Sequence, residues 1–256
     1  MKLGVAATAP FGADVVERLA ARYEVAWVLT RPDAPRGRGR KLAPPPAKVA
    51  AERFGLRVLQ PERPEIEEAD VVVVPGYGLL IPESLLERAL WLNVHPSLLP
   101  RWRGAAPVER AILAGDTETG VTIHRTVKEL DAGPIAAQEA FPIGPRDDAG
   151  AVSARAAELA AELIDFEPTF TPQPEDGVTY ADKITASDRL LDLTNPVDAD
   201  RRIRALSPHI GARADLHGRS VTIWRARLEG GELIPEEVQP DGRRRMSYEE
   251  FLRGLR

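Results

Sequence analysis

Short apolar runs alternate with segments of helical periodicity over the first half of the chain. Residues 2–8, 24–30 and 70–76 are mostly apolar, which predicts strands that are covered on both faces. Between them, the apolar residues of 13–23 fall on one helical face, which predicts an amphipathic helix, and 46–55 is predicted to be a helix with Gly55 as its C-cap. This β-α-β-α order predicts an α/β fold built on a mostly parallel, Rossmann-like sheet.

The same alternation continues as far as residue 166. Pro107 and Gly115 bracket one of the predicted helices, since proline favours the first helical turn and glycine the position after the last. In chain order, we predict a strand at 56–60, a helix at 82–90, a strand at 91–95, a helix at 106–115, strands at 119–127 and 134–143, and a helix at 147–166.

A proline-rich stretch separates this part of the chain from the rest. Residues 169–187 include Pro172 and Pro174, and they predict a linker between a first domain at 1–168 and a second at 188–256. The second domain is predicted to be β-rich, and a module of that size has little core of its own. We therefore expect it to lean on the first domain.

Local signals in the second domain predict both strands and helices. A helix at 197–206 precedes strands at 211–217 and 219–228, which flank Gly218. Ser247 and Glu250 have the spacing of a capping box and predict a last helix.

The composition is that of a globular protein with a polar surface. The chain has 256 residues, of which 43% are hydrophobic and 29% charged, and it has no cysteine, which excludes disulfides and thiolate metal sites. No apolar run reaches the roughly 18 residues of a membrane span, and the first residues are too strand-like for a secretory signal, so we expect a cytoplasmic protein. The net charge of −5 argues against a wholly basic surface but leaves room for a local one.

Polar side chains end the strand predicted at 91–95. Asn93 and His95 are two positions apart, so they point to the same side of the sheet, and Pro96 ends the strand. Open α/β sheets bind ligands beyond the carboxyl ends of their strands, and Asp131 follows the next strand, at what we expect to be another carboxyl end. An amide, an imidazole and a carboxylate are therefore expected to converge. Each has an ordinary structural alternative, because Asn and Asp are frequent in turns and a lone His is commonly a hydrogen-bonded structural residue.

Several chemistries have little support in the sequence. One His and one Asp are too few for a stable zinc site without cysteine. His124, His209 and His217 are scattered, and His124 lies on a predicted strand where it can be structural. The glycine patterns of dinucleotide-binding and phosphate-binding loops are absent, as is the G-x-S-x-G of serine hydrolases.

Direct acyl transfer between two bound substrates fits the chemistry that remains. Attack of an amine on a carbonyl forms a tetrahedral oxyanion, to which the Asn93 carboxamide can donate a hydrogen bond. His95 can accept the proton of the amine, or donate to the oxyanion when it is protonated. Asp131 can fix the tautomer of the imidazole and raise its pKa. No covalent intermediate on the protein is required.

These residues also carry a resemblance to a known family. Asn93-Val94-His95 followed by Ser97-Leu98-Leu99-Pro100 resembles the signature of the formyltransferases that use 10-formyltetrahydrofolate. Leu130-Asp131-Ala132-Gly133-Pro134 resembles the family's L-D-[TA]-G-P block. The similarity covers nearly the whole chain and is greatest to the branch that formylates methionyl-tRNA, in the segments 31–61, 100–124 and 179–185.

The resemblance implies a fold and a reaction. It implies a formyltransferase domain followed by a small OB-like domain, with 10-formyltetrahydrofolate as co-substrate and no metal. It implies initiator methionyl-tRNA as the acceptor, in translation initiation, and we expect a monomer. Catalytic roles are implied for Asn93, His95 and Asp131.

The resemblance also implies two folate-binding segments. The first is Ser97, Leu98, Leu99 and Pro100, which would contact the folate, although a rigid turn is the structural alternative and both can hold. The second is the loop at 75–82, in which Tyr77, Gly78 and Leu79 would help to wall the pterin pocket.

The segment 31–41 holds five basic residues and one Asp within an acidic half of the chain. By itself, such a Gly- and Pro-rich stretch is typical of a solvated loop. With the family resemblance, we expect it to contact phosphates of the tRNA acceptor stem, through Arg36, Arg38, Arg40 and Lys41.

The chain departs from the family pattern in its C-terminal domain, which is shorter than expected, so the surface for RNA is reduced.

The nearest alternative is a formyltransferase that acts on an amino sugar nucleotide, which would share the catalytic residues but need no basic loop. The formyltransferase of the purine pathway has no need of a C-terminal β-module. A non-catalytic RNA-binding protein on the same scaffold is the alternative from another class, and the intact Asn-His-Asp set weighs against it.

Overall fold

A computed structural model describes residues 2–36 and 40–255 of the chain. Their contacts define two compact units that interleave along the sequence. The first consists of the chain up to Arg103 together with Gly120–Ala140 and Ala154–Thr179, and the second of Gly104–Thr119, Phe141–Ser153 and the chain from Tyr180 onward. The domain boundaries predicted at 168 and 188 stay predictions.

A seven-stranded sheet forms the centre of the α/β part, in the order β10-β9-β7-β6-β1-β2-β5. The strands are β1 (Leu3–Ala6), β2 (Val25–Leu29), β5 (Val58–Leu59), β6 (Val71–Val74), β7 (Leu90–His95), β9 (Glu118–Arg125) and β10 (Ile135–Pro142), and a separate antiparallel pair is formed by β3 (Ala34–Arg36) and β4 (Lys41–Ala43). Neighbouring strands from β7 to β5 are parallel, whereas β9 runs antiparallel to β7. The apolar runs become these strands because both faces are covered, and Val71 to Val74 are each at most 4% exposed.

Helices follow the strands at nearly the predicted places. They are α1 (Pro10–Ala20), α2 (Pro46–Arg53), α3 (Glu83–Leu86), α4 (Pro107–Ala114) and α5 (Ala149–Leu163). Pro107 begins α4, and Gly115 ends it in the left-handed conformation at φ 78°. The helix predicted at 82–90 is wrong in its second half, because the chain joins β7 already at Leu90 and the Trp91 indole N–H donates to the Leu85 carbonyl at 2.8 Å.

The C-terminal part of the second unit is a four-stranded antiparallel sheet with two helices. The elements are α6 (Pro196–Leu206), β12 (Ala212–Leu216), β13 (Arg219–Glu229), β14 (Glu232–Pro240), β15 (Met246–Ser247) and α7 (Tyr248–Arg253). Its core contains Ile203, Val221, Ile223, Val238 and Phe251, all at most 3% exposed. Ser247 caps α7 by accepting the Glu250 N–H at 3.1 Å, as its spacing predicts.

The sequence pattern did not predict β14 and β15. Pro235, Pro240 and the glutamates of β14 obscure its alternation of apolar and polar residues, and Val238 is the one residue of the strand that is buried. The signal lies in the turn, since Gly230 and Gly231 both have positive φ, at 60° and 85°, and join β13 to β14 as a tight hairpin. The predicted fold class, an α/β fold with a mostly parallel sheet followed by a β-rich C-terminal part, is confirmed.

Short pieces of structure complete the described chain. β8 (Arg103–Gly104) pairs with β11 (Tyr180–Ala181), and a 3₁₀ turn spans Ser187–Arg189. Within the residues described, no helix is long and apolar enough to cross a membrane.

Candidate active site

The tip of β7 lies in the middle of the central sheet. β6 pairs with it on one side and β9 on the other, so that Asn93 stands opposite Val74 and His124. The Asn93 side chain is partly exposed, and its carboxamide has no hydrogen-bond partner among the residues that the structure describes. It is therefore free to donate to a ligand at this edge.

His95 is buried at the same tip, only 4% exposed. Its Nε2 lies 2.7 Å from the Trp102 carbonyl oxygen, and because a carbonyl can only accept, Nε2 carries a proton. In the neutral ring, Nδ1 is then the unprotonated nitrogen. The prediction that Asp131 fixes the tautomer is wrong, since the Trp102 main chain does so.

The carboxylate of Asp131 faces the unprotonated side of this ring. Its Oδ2 lies 3.7 Å from His95 Nδ1, and the two side chains are 10% and 6% exposed. Burial lowers the pKa of His95 below its ordinary value, and the raising effects of the Asp131 charge and of the Trp102 carbonyl do not offset it. The imidazole is therefore neutral near pH 7 and has a lone pair at Nδ1 with which to accept a proton.

Asp131 reaches His95 by a route different from the one predicted. Because β9 is antiparallel to β7, its carboxyl end lies away from the His95 tip, so the prediction of a shared carboxyl edge is wrong. Instead, the loop after β9 folds back on the strand, with Asp131 in the left-handed region at φ 46° and Arg125 N–H donating to Pro134 O at 2.9 Å. A Cβ at Gly133 would collide with the Arg125 carbonyl, so the return path needs glycine.

His124 is a candidate functional residue that sequence reasoning treated as structural. It is 1% exposed, and its Nδ1 donates to Arg125 O at 3.0 Å. Its Nε2 lies 3.7 Å from Asp131 Oδ1 and has no hydrogen-bond partner among the described residues. The Asp131 carboxylate therefore lies 3.7 Å from one ring nitrogen of each of the two histidines. No signal in the sequence singles His124 out, because only the antiparallel register of the folded strands sets it directly across from Asn93.

The segment from Ser97 to Pro100 is a tightly held turn. Ser97 and Leu99 are buried, at 0% and 3% exposed, whereas Leu98 and Pro100 are partly exposed. Thr122 Oγ1 donates to Ser97 O at 2.7 Å and accepts from Leu99 N–H at 3.1 Å. The rigid-turn interpretation thus has direct support, and folate contact through this segment stays a prediction.

The loop at 75–82 follows β6, so it adjoins the tip of β7. Gly78 has φ 78° and is exposed, and Leu79 is 37% exposed. Tyr77 is 2% exposed, and its ring belongs to the core cluster with Trp27 and Trp91. Burial raises the pKa of its phenol, against the charge of Arg31. Within this loop Tyr77 is therefore covered, whereas Gly76, Gly78 and Leu79 are exposed.

The described parts of the basic segment contribute to the β3–β4 pair, in which Arg36 stands opposite Lys41. Lys41 and Arg40 are exposed, and Arg40 has φ 44°. Arg38 lies outside the described residues, and Arg36 is described only in its backbone. At the base of the segment, Asp33 accepts from Lys48 Nζ at 2.9 Å, which ties it to α2.

The family model described as formyl transferase matches residues 4–165. A methionyl-tRNA formyltransferase of Aromatoleum aromaticum is 40% identical over the whole of this chain and 94% of its own length. One from Halorhodospira halophila is 46% identical over 82% of this chain and 73% of its own length. This chain belongs to the methionyl-tRNA formyltransferase family. The Aromatoleum alignment spans 298 positions, so that member of the family has residues that the 256-residue chain lacks.

Solved structures agree in fold. The methionyl-tRNA formyltransferase of Clostridium thermocellum has a TM-score of 0.64 at 16% identity, with 94% of this chain and 98% of the other covered. A sugar 3N-formyl transferase solved with dTDP and 5-N-formyl-THF has a TM-score of 0.66 at 17% identity, with 90% and 87% covered. Across the described part of the chain, no group of three His, Cys, Asp or Glu side chains is placed to hold a metal ion.

Proposed function

We propose that this chain transfers the formyl group of 10-formyltetrahydrofolate to the amino group of methionine on initiator methionyl-tRNA. The observation that carries the proposal is the neutral, buried His95 beside Asp131 at a strand tip that also presents the free Asn93 carboxamide. Membership of the family supports the choice of folate and of methionyl-tRNA as substrates.

Each residue of the tip has a distinct role in this reaction. The amine nitrogen attacks the formyl carbon, and the Asn93 carboxamide donates a hydrogen bond to the oxyanion that forms. His95 Nδ1 accepts the proton that the nitrogen loses, and Asp131 stabilises the resulting imidazolium at 3.7 Å. The proton then leaves with the folate nitrogen as the carbon–nitrogen bond to the carrier breaks. Atoms balance without a covalent bond to the protein.

Exposed and partly exposed groups around the tip form the folate site in this proposal. Leu98 and Pro100 offer apolar contact on one side, and Gly78 and Leu79 offer backbone and apolar surface on the other. The Asn93 carboxamide fits a formyl oxygen because it lacks another hydrogen-bond partner among the described residues.

Formylation of charged initiator tRNA tests the function directly. The protein is incubated with 10-formyltetrahydrofolate and either methionyl-tRNA or an amino sugar nucleotide, and the formylated product is measured. Transfer to methionine is expected, with losses of about 10²-fold or more in kcat for Asn93→Ala and His95→Ala. His217→Ala removes an exposed histidine of the second unit and is the matched control. If the protein formylates the amino sugar nucleotide and not methionyl-tRNA, the proposed function is wrong and the amino sugar alternative is correct.

The basic segment is the proposed binding surface for the acceptor stem. Changing Arg36, Arg38, Arg40 and Lys41 to Ala should weaken tRNA binding and flatten its salt dependence, with a slope change of about 0.7 to 0.9 for each phosphate that is no longer neutralised. The control removes the same charge from the opposite, amino-terminal edge of the sheet. It changes Lys2, Arg22, Arg57 and Arg88, which lie shortly before β1, β2, β5 and β7. If the salt dependence of tRNA binding has the same slope in the first variant as in the parent protein, the basic segment does not bind the tRNA.

Two further properties belong to the proposal. Formylation of initiator tRNA serves translation, which places the protein in the cytoplasm. It acts as a monomer, and analytical ultracentrifugation at assay concentration tests this, since a dimer would sediment at twice the mass of one chain.

A further inference from the structure

Two loops supply the polar partners of His95. The loop after β7 brings the Trp102 carbonyl to Nε2, and the loop after β9 brings the Asp131 carboxylate to Nδ1. Trp102 and Asp131 both have positive φ, at 65° and 46°, a region that residues with side chains rarely adopt. Local backbone preference therefore does not hold either loop in place, and other contacts must do so.

Gln173 makes contacts with both loops. Its Nε2 donates to Asp131 O and to Gly133 O, each at 2.8 Å. Its Oε1 accepts from Arg103 Nη2 at 2.6 Å and from Arg103 Nε at 3.1 Å. The Gln173 carboxamide thus uses both of its N–H donors on the Asp131 loop and both acceptor positions of its oxygen on Arg103, the residue after Trp102.

The segment that contains Gln173 is fixed at both ends. Thr171 exchanges backbone hydrogen bonds with Ile135, at the start of β10, at 2.7 and 2.9 Å. Thr179 Oγ1 accepts from Trp102 N–H at 2.9 Å, and Thr179 O accepts from Arg103 N–H at 2.9 Å. Residues 171–179, part of the predicted linker, are therefore anchored along the edge of the candidate site.

We propose that Gln173 is a positioning residue for formyl transfer, and that it sets the geometry of His95 by joining the Trp102–Arg103 loop to the Asp131 loop. The inference rests on the proposed function. The hydrogen bonds of Gln173 go to the two loops and not to the imidazole, so its effect on His95 passes through the loops. Loss of the bridge should lower kcat more than it changes KM, because misplacing a reacting group by about 1 Å can cost about 10²-fold in rate.

The first variant is Gln173→Ala, which removes the whole bridge. The second is Gln173→Glu, which keeps the shape and still accepts from Arg103 but cannot donate to the Asp131 and Gly133 carbonyls. The matched control is Gln239→Ala, which removes a carboxamide that also bridges two groups, the Trp224 indole and the Arg243 carbonyl, in the second unit. Should Gln173→Ala not fold, Gln173→Glu carries the test.

Steady-state formyl transfer gives kcat, KM and the pH midpoint of kcat for each protein. For both Gln173 variants we expect kcat to fall by about 10²-fold with KM for each substrate within about threefold, since substrate contacts stay in place. In Gln173→Ala, which adds no charge, the midpoint should also move to lower pH. Asp131 and His124 are the titratable groups that face His95. If the Asp131 carboxylate moves away, its negative charge no longer raises the pKa of His95.

An NMR titration of the histidine rings supplies a readout that is independent of turnover, with the His95 signal assigned from His95→Ala. The same downward move of the His95 titration in Gln173→Ala is expected, and none in Gln239→Ala. Unchanged kcat and an unchanged His95 titration would overturn the inference, as would a change in KM alone. If the parent protein transfers no formyl group to methionyl-tRNA, the proposed function fails, and the NMR titration still decides whether Gln173 sets the environment of His95.

Discussion

Replacement of Thr122 by Val should measure how firmly the turn at 97–100 is held. Thr122 is fully buried, and its hydroxyl donates to Ser97 O and accepts from Leu99 N–H and from Gln138 Nε2, the last at 2.8 Å. Valine has the same shape but no hydroxyl. The Ser97 carbonyl and the Leu99 N–H then lose the partner that Thr122 gives them, whereas Gln138 keeps its bond to Leu99 O at 2.9 Å.

The magnitude follows from these two buried groups. Each costs about 1–3 kcal/mol when it is left without a partner, and the added methyl group of valine offsets about 0.8 kcal/mol. We therefore expect the free energy of unfolding to fall by about 3 kcal/mol, or about 6–12 °C in Tm. Thr122→Ser retains the hydroxyl, loses only a methyl group and should cost about 1 kcal/mol.

Urea denaturation followed by tryptophan fluorescence suits this prediction, because Trp27, Trp91 and Trp102 all lie in the first unit. The refuting result is a valine variant as stable as the serine variant or more so. The hydroxyl would then contribute no net hydrogen bonding, and the turn would be held by apolar packing alone. A valine variant that is less stable by the stated amount also predicts weaker folate binding, since the turn is part of the proposed folate site.

Three more predictions follow from the site and from the second unit. Gly133→Ala should reduce formyl transfer strongly, because the added Cβ meets the Arg125 carbonyl and displaces Asp131. The control is Gly254→Ala, where an added Cβ makes only ordinary contact at 3.5 Å, and equal activity of the two variants would contradict the return path. Because burial lowers the pKa of His95, kcat should hold at pH 6.5 and decline only as pH falls through the lowered pKa. The stability that the neutral ring contributes should be present above the pKa of the unfolded state, about 6.5, and lost as pH falls through the lower pKa of the folded state. Urea titrations at each pH measure this dependence, and His95→Gln should abolish it. Burial raises the pKa of Asp188, but hydrogen bonds from Thr185 and Arg110 outweigh it and lower the pKa to about 2, so stability should be lost as pH falls from about 4 toward 2. In Asp188→Asn that part of the acid dependence should be missing, and a curve identical to the parent's would place the acid-sensitive group elsewhere.

Contacts between distant residues explain what could not be predicted. Gln173 meets the Asp131 carbonyl across 42 positions of sequence, and Thr179 meets Trp102 across 77. No periodicity or spacing encodes such pairs, and a proline-rich stretch has the same composition whether it is a free linker or is anchored beside a site. His124 shows the same limit, since its importance depends on which strand lies next to β9 and in which direction it runs.

The sequence by itself determined the features that depend on neighbours a few positions apart. Apolar runs specify buried strands such as β6, proline and glycine mark the ends of α4, Ser247 caps α7, and the two-residue spacing puts Asn93 and His95 on one side of β7. The tertiary structure alone decided that β9 is antiparallel, that Asp131 returns through a loop, and that a main-chain carbonyl orients His95. The physical reason is that helix and strand periods repeat within a few residues, whereas the partners of a buried imidazole are selected by packing between segments that only the complete fold brings together.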